Sequence, residues 1–309
     1  LALYLVTGGA GFIGSHLVDA LLTRGDTVRV LDDLSTGKRE NLPPAADLIV
    51  GDVADADAVA RAMQGADGCF HLAAIASVQL GNTDWLGTHR TNLTGAITVF
   101  DAARRASARA IPVVYASSAA VYGDSADLPL AETALTRPLS AYGADKLGCE
   151  LHGRVASLVH GVPTRGLRFF NVYGPRQDPA SPYSGVISIF FDRIGRGQGV
   201  TVFGDGGQTR DFIYVGDVVR ALIAAMSKET AEAAVFNVCT GRSTSLLELA
   251  AAVGHVFRRQ PEIAFGPRRA GDIIASLGNP ALAQSVLGFT ADTPLDDGLR
   301  AMAAYGGEN

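Results

Sequence analysis

Residues 7–14 read Thr7-Gly8-Gly9-Ala10-Gly11-Phe12-Ile13-Gly14, between the apolar run Leu3–Val6 and a helical pattern from Phe12 to Arg24. At this strand-to-helix junction Gly8, Gly11 and Gly14 recur at every third residue. Gly8 permits a tight turn, Gly11 lets a phosphate group approach the backbone, and Gly14 lets the helix lie close on the strand. The free N–H groups of the helix N-terminus, with Phe12 and Ile13 in its first turn, complete an anion cradle. Glycine-rich turns also arise for steric reasons alone, so the surrounding pattern decides.

That pattern alternates strand and helix. Short apolar runs without polar alternation predict strands covered on both faces at Leu3–Val6, Thr27–Leu31, Leu48–Val50, Gly68–His71, Val113–Ala116 and Thr164–Arg168. Helical stretches at Phe12–Arg24, Asp55–Met63, Asn92–Arg105 and Ala141–His160 lie between them. This order predicts an α/β fold, a Rossmann-type doubly wound parallel sheet, over residues 1–170. Beyond Asn171 the prolines Pro175, Pro179 and Pro182 cluster with Gly174 and Gly185. Residues 171–309 therefore predict a smaller C-terminal mixed α/β lobe carrying a second ligand, with Val235–Val238 a candidate to return to the main sheet.

Composition narrows the class. The 309 residues carry 26 Lys+Arg against 31 Asp+Glu, a formal net charge of −5, with no basic block. This argues against nucleic acid or an anionic membrane as partner. Cys69, Cys149 and Cys239 stand far apart, which fits a reducing cytoplasmic setting and gives neither a disulfide framework nor a metal cluster. No apolar run is long enough to span a bilayer, and no leader pattern is visible before Leu3.

The second strand ends in Leu31-Asp32-Asp33. A carboxylate at this position suits the adenosine ribose hydroxyls of a dinucleotide, where the bland alternative is a solvated strand end. It would repel a 2′-phosphate, so NAD is favoured over NADP, although Lys38 and Arg39 nearby keep NADP open. Asp52, after the third strand, suits the adenine, and the small segment Leu72-Ala73-Ala74 after the fourth suits the pyrophosphate.

Two further segments carry chemistry. The run Val113-Val114-Tyr115-Ala116-Ser117-Ser118 ends in hydroxyls at the carboxyl edge of the sheet, where α/β folds bind ligands. Tyr142-Gly143-Ala144-Asp145-Lys146 then sets a phenol and an ammonium one helical turn apart. A free phenol has a pKa near 10 and is a poor base at neutral pH; a nearby cation favours its phenolate. Ser118, Tyr142 and Lys146 thus suit hydride and proton removal from a secondary alcohol. His71, His152 and the other histidines show no ligand spacing and are expected in core or surface roles.

These motifs, with Ser117-Ser118-Ala119-Ala120-Val121-Tyr122-Gly123 and Arg168-Phe169-Phe170-Asn171-Val172-Tyr173-Gly174-Pro175, resemble the extended short-chain dehydrogenase/reductases from end to end. Within them the chain is most similar to the UDP-hexose 4-epimerases. The resemblance implies bound NAD, touched also by Ser35, Thr36, Gly37, Val53, Asn92, Ser117 and Phe169. It implies a UDP-sugar held by Phe170, Asn171, Val186, Thr201, Phe203, Arg210, Arg269 and Asp272, and a homodimer through the helices at 92–105 and 141–160. Related dehydratases carry Asp-Glu after the catalytic hydroxyl residue, and decarboxylases keep a Glu at the second of these positions. Here they are Ala119 and Ala120, which leaves the chemistry of C4 epimerisation through a transient 4-keto sugar. Ser276 matches a position where a small residue admits an N-acetyl group and Tyr excludes it, so both UDP-Glc/UDP-Gal and UDP-GlcNAc/UDP-GalNAc are expected.

Three alternatives stand beside this reading. A UDP-glucuronate 4-epimerase would need a cation for the C6 carboxylate, and Arg176 could serve. A catalytically silent NAD-binding regulator would commonly lose the Tyr or the Lys. A cofactor-consuming reductase uses the same three residues.

Overall fold

The apolar runs become strands sealed on both faces. In the computed structural model, which describes residues 1–178, 185–228, 233–268 and 273–307, the chain begins β1 (Leu3–Thr7), α1 (Phe12–Thr23), β2 (Thr27–Asp32), β3 (Asp47–Val50), α2 (Ala56–Met63) and β4 (Gly68–His71). Next come α3 (Val78–Thr83), α4 (Trp85–His89), a π-helical turn (Arg90–Thr94), α5 (Gly95–Arg105), β5 (Val113–Ser118), α6 (Ala141–His160) and β6 (Thr164–Phe169). The remainder is β7 (Asn171–Tyr173), α7 (Val186–Gly195), β8 (Val200–Phe203), β9 (Thr209–Arg210), β10 (Phe212–Tyr214), α8 (Val215–Ser227), β11 (Ala234–Val238), β12 (Thr244–Ser245), α9 (Leu246–Val256), β13 (Ile263–Gly266) and α10 (Leu295–Gly307).

Seven strands form one sheet in the order β11-β6-β5-β4-β1-β2-β3, and every pairing in it is parallel. Alternate residues feed two cores. Val6, Phe70, Val114 and Leu167 meet Leu17, Val18 and Leu21 of α1 and Val218 and Leu222 of α8. Their neighbours Leu5, Cys69, Val113 and Tyr115 meet Val59 of α2, Val99 and Phe100 of α5, and Cys149 of α6. Each such burial is worth about 1.5–3 kcal/mol, which is why the strands carry apolar residues on both faces. The strand order reverses between β4 and β1, and ligands of such sheets bind beyond the carboxyl ends at that switch point.

β11 comes from the second half of the sequence yet pairs with β6 in the main sheet. The C-terminal lobe has its own core, with Tyr173, Ile187, Phe190, Val200, Val202, Leu249, Val253 and Leu299. Two-stranded pairs β10-β7, β12-β9 and β13-β8 surround it. The helix expected from Asn92 starts earlier: α4, the π turn and α5 follow one another without a break. A π turn leaves the regular hydrogen-bond ladder out of step, and the Asn92 carbonyl within it accepts from Cys149 Sγ on α6 at 3.3 Å. Among the described residues, no helix is long and apolar enough to cross a membrane, and all three cysteines are buried and free.

Candidate active site

The glycine turn sits at the switch point. Gly8 has φ +71°, and a Cβ there would lie 2.6 Å from the Ala73 nitrogen, so β1 and the loop after β4 meet only because Gly8 has no side chain. A Cβ on Gly14 would stand 2.1 Å from the Gly8 carbonyl oxygen, so α1 too depends on glycine for its approach. At Gly11, the N-cap of α1, an added Cβ meets only the Gly8 oxygen, at 3.2 Å. Open backbone at a helix N-terminus, with Phe12 and Ile13 in the first turn, fits a pyrophosphate.

Asp32 is buried at the end of β2. Its Oδ2 accepts from the Ala10 N–H and its Oδ1 from the Leu34 N–H, both at 2.9 Å. Burial pushes its carboxyl pKa up, and these two donors pull it back. Each oxygen keeps a second lone-pair direction, which suits ribose hydroxyls. Gly37 packs on this carboxylate, and Asp33 accepts from the N–H and hydroxyl of exposed Ser35, beside exposed Thr36. Lys38, one of the two cations that kept NADP open, reaches Asp178 at 3.4 Å and so already faces a carboxylate.

Around the rest of this cleft, Asp52 accepts from the Ala54 N–H at 2.8 Å and pairs with Arg90 at 2.8 Å, beside buried Val53. Leu72 donates to the Thr7 carbonyl at 3.0 Å, Ala73 donates to the Thr7 hydroxyl at 3.3 Å, and Ala74 follows. The Asn92 side chain exchanges hydrogen bonds with the Ile75 backbone, 2.7 Å at its Oδ1 and 3.2 Å at its Nδ2, and so braces that loop. Buried His71 meets Thr7 Oγ1 at 2.8 Å. Burial, with the Lys146 charge, pushes its imidazole down to about 3, so the ring is neutral.

Ser118 ends β5, and its Oγ accepts from the Ala120 N–H at 3.1 Å, capping the short 3₁₀ turn Ala119–Tyr122. Ser140 caps α6, with its Oγ accepting from the Gly143 N–H at 3.1 Å, and Tyr142 lies in the first turn. Gly143 brings the two together: a Cβ on it would lie 2.7 Å from the Ala120 oxygen. One turn on, Lys146 is buried, donates to the Ala116 carbonyl of β5 at 2.9 Å, and holds its Nζ 5.8 Å from the Tyr142 ring centre. A phenol, a hydroxyl and an anchored ammonium thus converge at the carboxyl edge of the sheet, an arrangement able to take a proton from a secondary alcohol.

Behind them lies a network that sequence reasoning missed. Ser117 Oγ donates to Glu150 Oε1 at 2.5 Å, and Glu150 pairs with Arg168. Arg168 also donates to the Tyr122 hydroxyl at 2.8 Å, which donates to Asn237 Oδ1 at 2.7 Å. Asn237 in turn donates to the Leu130 carbonyl at 2.8 Å. Arg168 opens the run Arg168-Phe169-Phe170-Asn171, but nothing local to it names Glu150 as its partner.

On the second lobe, buried Phe169 ends β6, and Phe170 packs 6.5 Å from the Tyr122 ring. The Asn171 N–H donates to the Asp211 carbonyl at 3.0 Å, which sets β7 beside Arg210. Arg210 Nη1 donates to the Thr209 carbonyl at 2.8 Å, and the Ser276 N–H reaches that carbonyl at 3.1 Å. Asn171, Arg210 and Ser276 are thereby gathered on one edge. Thr201 and Phe203 lie on β8, Thr201 exposed and Phe203 half-buried, and half-buried Val186 opens α7. Arg269 and Asp272 lie outside the described residues. Arg176 pairs with Asp19 of α1 at 2.8 Å.

A family model described as "NAD dependent epimerase/dehydratase family" matches residues 4–239. A putative UDP-glucose 4-epimerase of Methanocaldococcus jannaschii is 36% identical over 298 residues, spanning 96% of this chain and 95% of the relative. The crystal structure of a Thermotoga maritima UDP-glucose 4-epimerase with UDP-glucose superposes with a TM-score of 0.94 at 35% identity, covering 99% of both chains. A UDP-N-acetylglucosamine 4-epimerase from Methanobrevibacter ruminantium, in complex with UDP-N-acetylmuramic acid, gives 0.94 at 34%, covering 99% of this chain and 98% of its own. Full-length identity at this level, on a fold with a glycine cradle at its switch point, settles the kinship: the chain belongs to the NAD-dependent epimerase/dehydratase family and, within it, to the UDP-sugar 4-epimerases.

Proposed function

We propose that this enzyme interconverts UDP-glucose and UDP-galactose at C4 and accepts UDP-GlcNAc and UDP-GalNAc at the same site. The observation that carries the reading is the convergence of Ser118, Tyr142 and Lys146 beside a turn whose first two side chains, Ala119 and Ala120, are methyl groups. NAD, when bound, supplies the hydride acceptor for oxidation at C4 and the donor for its reversal. Tyr142 takes the proton of the C4 hydroxyl and later returns it. Ser118 hydrogen-bonds the same oxygen. Lys146, fixed on the Ala116 carbonyl, holds positive charge beneath the phenol. Ala119 and Ala120 can neither give nor accept a proton, which disfavours elimination of water. Arg210 binds the diphosphate through its guanidinium fork, and few fixed contacts to the hexose let the 4-keto sugar present its other face.

Arg176, the cation a uronic substrate would need for its C6 carboxylate, pairs its Nη2 with Asp19 on α1 while its buried Nη1 has no partner among the described residues, so UDP-GlcA is the competing substrate to assay. The test is turnover of UDP-galactose, UDP-GalNAc and UDP-GlcA by the purified protein without added NAD, followed by proton NMR. C4 epimers of the first two are expected. Turnover of UDP-GlcA alone would favour the uronic reading, a growing NADH absorbance would favour a reductase, and no turnover after NAD addition would favour a silent binding protein.

We also infer a homodimer through the outer faces of α5 and α6. Leu151, Val155, Leu158 and Val159 form an exposed apolar stripe on α6, and Ile97 is exposed on α5. Light scattering should give twice the chain mass, falling to one chain mass in Leu158→Glu; a monomeric wild type would refute the inference.

A further inference from the structure

Asp211 follows Arg210 in sequence, yet its side chain turns inward and none of it reaches solvent. A carboxylate so placed is stable only when donors surround it. Four do. Oδ1 accepts from the N–H and hydroxyl of Thr240 at 2.8 and 2.7 Å. Oδ2 accepts from the N–H groups of Gly241 at 2.9 Å and Gly278 at 3.4 Å.

What these bonds join gives Asp211 its interest. Through its own carbonyl it holds Asn171 at 3.0 Å, and through its side chain it holds the turn after β11 and the strap that contains Ser276. That strap, residues 274–279, is pinned on one side by Thr209 and on the other by Leu130. Gly278 is seated without slack: a Cβ there would lie 2.5 Å from Cys239 Sγ and 2.7 Å from Phe170 Cζ. An apolar residue could fill this buried position, but it could not collect backbone N–H groups from separate segments at one point.

We propose that Asp211 is a positioning residue for UDP-sugar recognition, fixing the Ser276 strap and the Thr240–Gly241 turn against Asn171 and Arg210. It governs substrate affinity and leaves the chemical step to Ser118, Tyr142 and Lys146. The inference rests on the UDP-sugar reading above.

The test uses the NAD-loaded full chain carrying Asp211→Asn. An amide can keep its oxygen toward Thr240 but turns an N–H₂ toward the N–H groups of Gly241 and Gly278. Calorimetric titration with UDP and with UDP-glucose should show binding at least about tenfold weaker. KM for UDP-galactose should rise by the same factor, with kcat within about threefold and NAD content unchanged. Gly278→Ala, which pushes on the strap from its other side, should shift binding in the same direction and decides the matter if Asp211→Asn does not fold. Val253→Ala, a cavity in the core of the same lobe, should lower Tm without moving KM. Unchanged UDP affinity in Asp211→Asn and Gly278→Ala, or an equal KM shift in Val253→Ala, would overturn the proposal. A wild type that binds UDP but does not turn over UDP-galactose would sink only the functional reading, because the UDP titration needs no turnover.

Discussion

Arg168 grips Glu150 with two parallel hydrogen bonds, Nε to Oε1 at 2.8 Å and Nη2 to Oε2 at 2.7 Å, both side chains being less than a tenth exposed. Burial is the largest single influence and would lower the guanidinium pKa, but the hydrogen bonds and charge of Glu150, with those of Tyr122, together outweigh it and the net direction is upward. The pair joins β6 to α6, and through Ser117 it braces the end of β5 on which Ser118 stands.

Cutting one side of a buried pair strands the other charge, so Glu150→Ala should cost about 3–5 kcal/mol of stability. Replacing both partners, as in Glu150→Met with Arg168→Met, should recover most of that loss, because no charge is left buried alone. Urea unfolding of the three proteins checks this. A single variant within about 1 kcal/mol of wild type would show that the network does not bear on stability.

Gly143 carries a second expectation. An added methyl would press to 2.7 Å from the Ala120 oxygen and 3.0 Å from Pro138 Cβ, so Gly143→Ala must move the first turn of α6 away from Ser118. Misplacing a catalytic group on the ångström scale can cost up to about 10²-fold in rate. We expect kcat to fall about 10–10²-fold while bound NAD stays constant, read by turnover and by NAD released on denaturation. Normal kcat would mean that Tyr142 and Ser118 tolerate a looser approach.

The contrast between β1 and the Glu150–Arg168 pair shows what could be read from the sequence. β1, β4 and β6 announce themselves because strands buried on both faces need continuous apolar runs, and α6 is legible to the residue because Ser140 caps it and left-handed Gly161 ends it. The same holds for the Gly8–Gly14 turn and for Tyr142 with Lys146, whose spacing is local. Glu150 and Arg168 meet only through the packing of α6 on β6, and neither neighbourhood names the other. Asp211 stayed silent for the same reason: its partners at 240, 241 and 278 are set by tertiary structure. β11 was ambiguous because a short apolar run does not say which sheet it joins. The short helices α3 and α4 went unread; each is capped by a single side chain, Ser77 and Asp84, and carries too few turns for a periodic pattern.

His71 gives a pH signature. Its folded-state pKa is pushed down to about 3 from an ordinary 6.5, so below pH 6.5 the unfolded chain takes up a proton that the folded chain refuses. Stability is therefore lost as pH falls from about 6.5 toward 3, by about 1.4 kcal/mol per unit from this group. Asp32 and Asp211, whose carboxyl pKa values are raised by burial, contribute the opposite slope, so a difference measurement is needed. Denaturant midpoints at pH 4.5, 5.5 and 6.5 should fall less steeply in His71→Asn than in wild type. Parallel profiles would mean that His71 does not stay neutral in the fold.

Ser276 bears on substrate range. Its backbone is fixed by the N–H bond to Thr209, on the strand that carries Arg210, and the side chain is half-buried. A hydroxymethyl group there leaves space that a phenol would fill, while the hexose hydroxyl pattern and the diphosphate contacts stay as they are. Ser276→Tyr should therefore lower kcat/KM for UDP-GalNAc by about 10²-fold or more while holding UDP-galactose within a few-fold, since steric exclusion acts on the larger C2 substituent alone. The two substrates assayed side by side at equal enzyme concentration give the ratio directly. An equal loss on both would mean that the strap moved as a whole, and an unchanged ratio would place the C2 substituent somewhere other than beside Ser276.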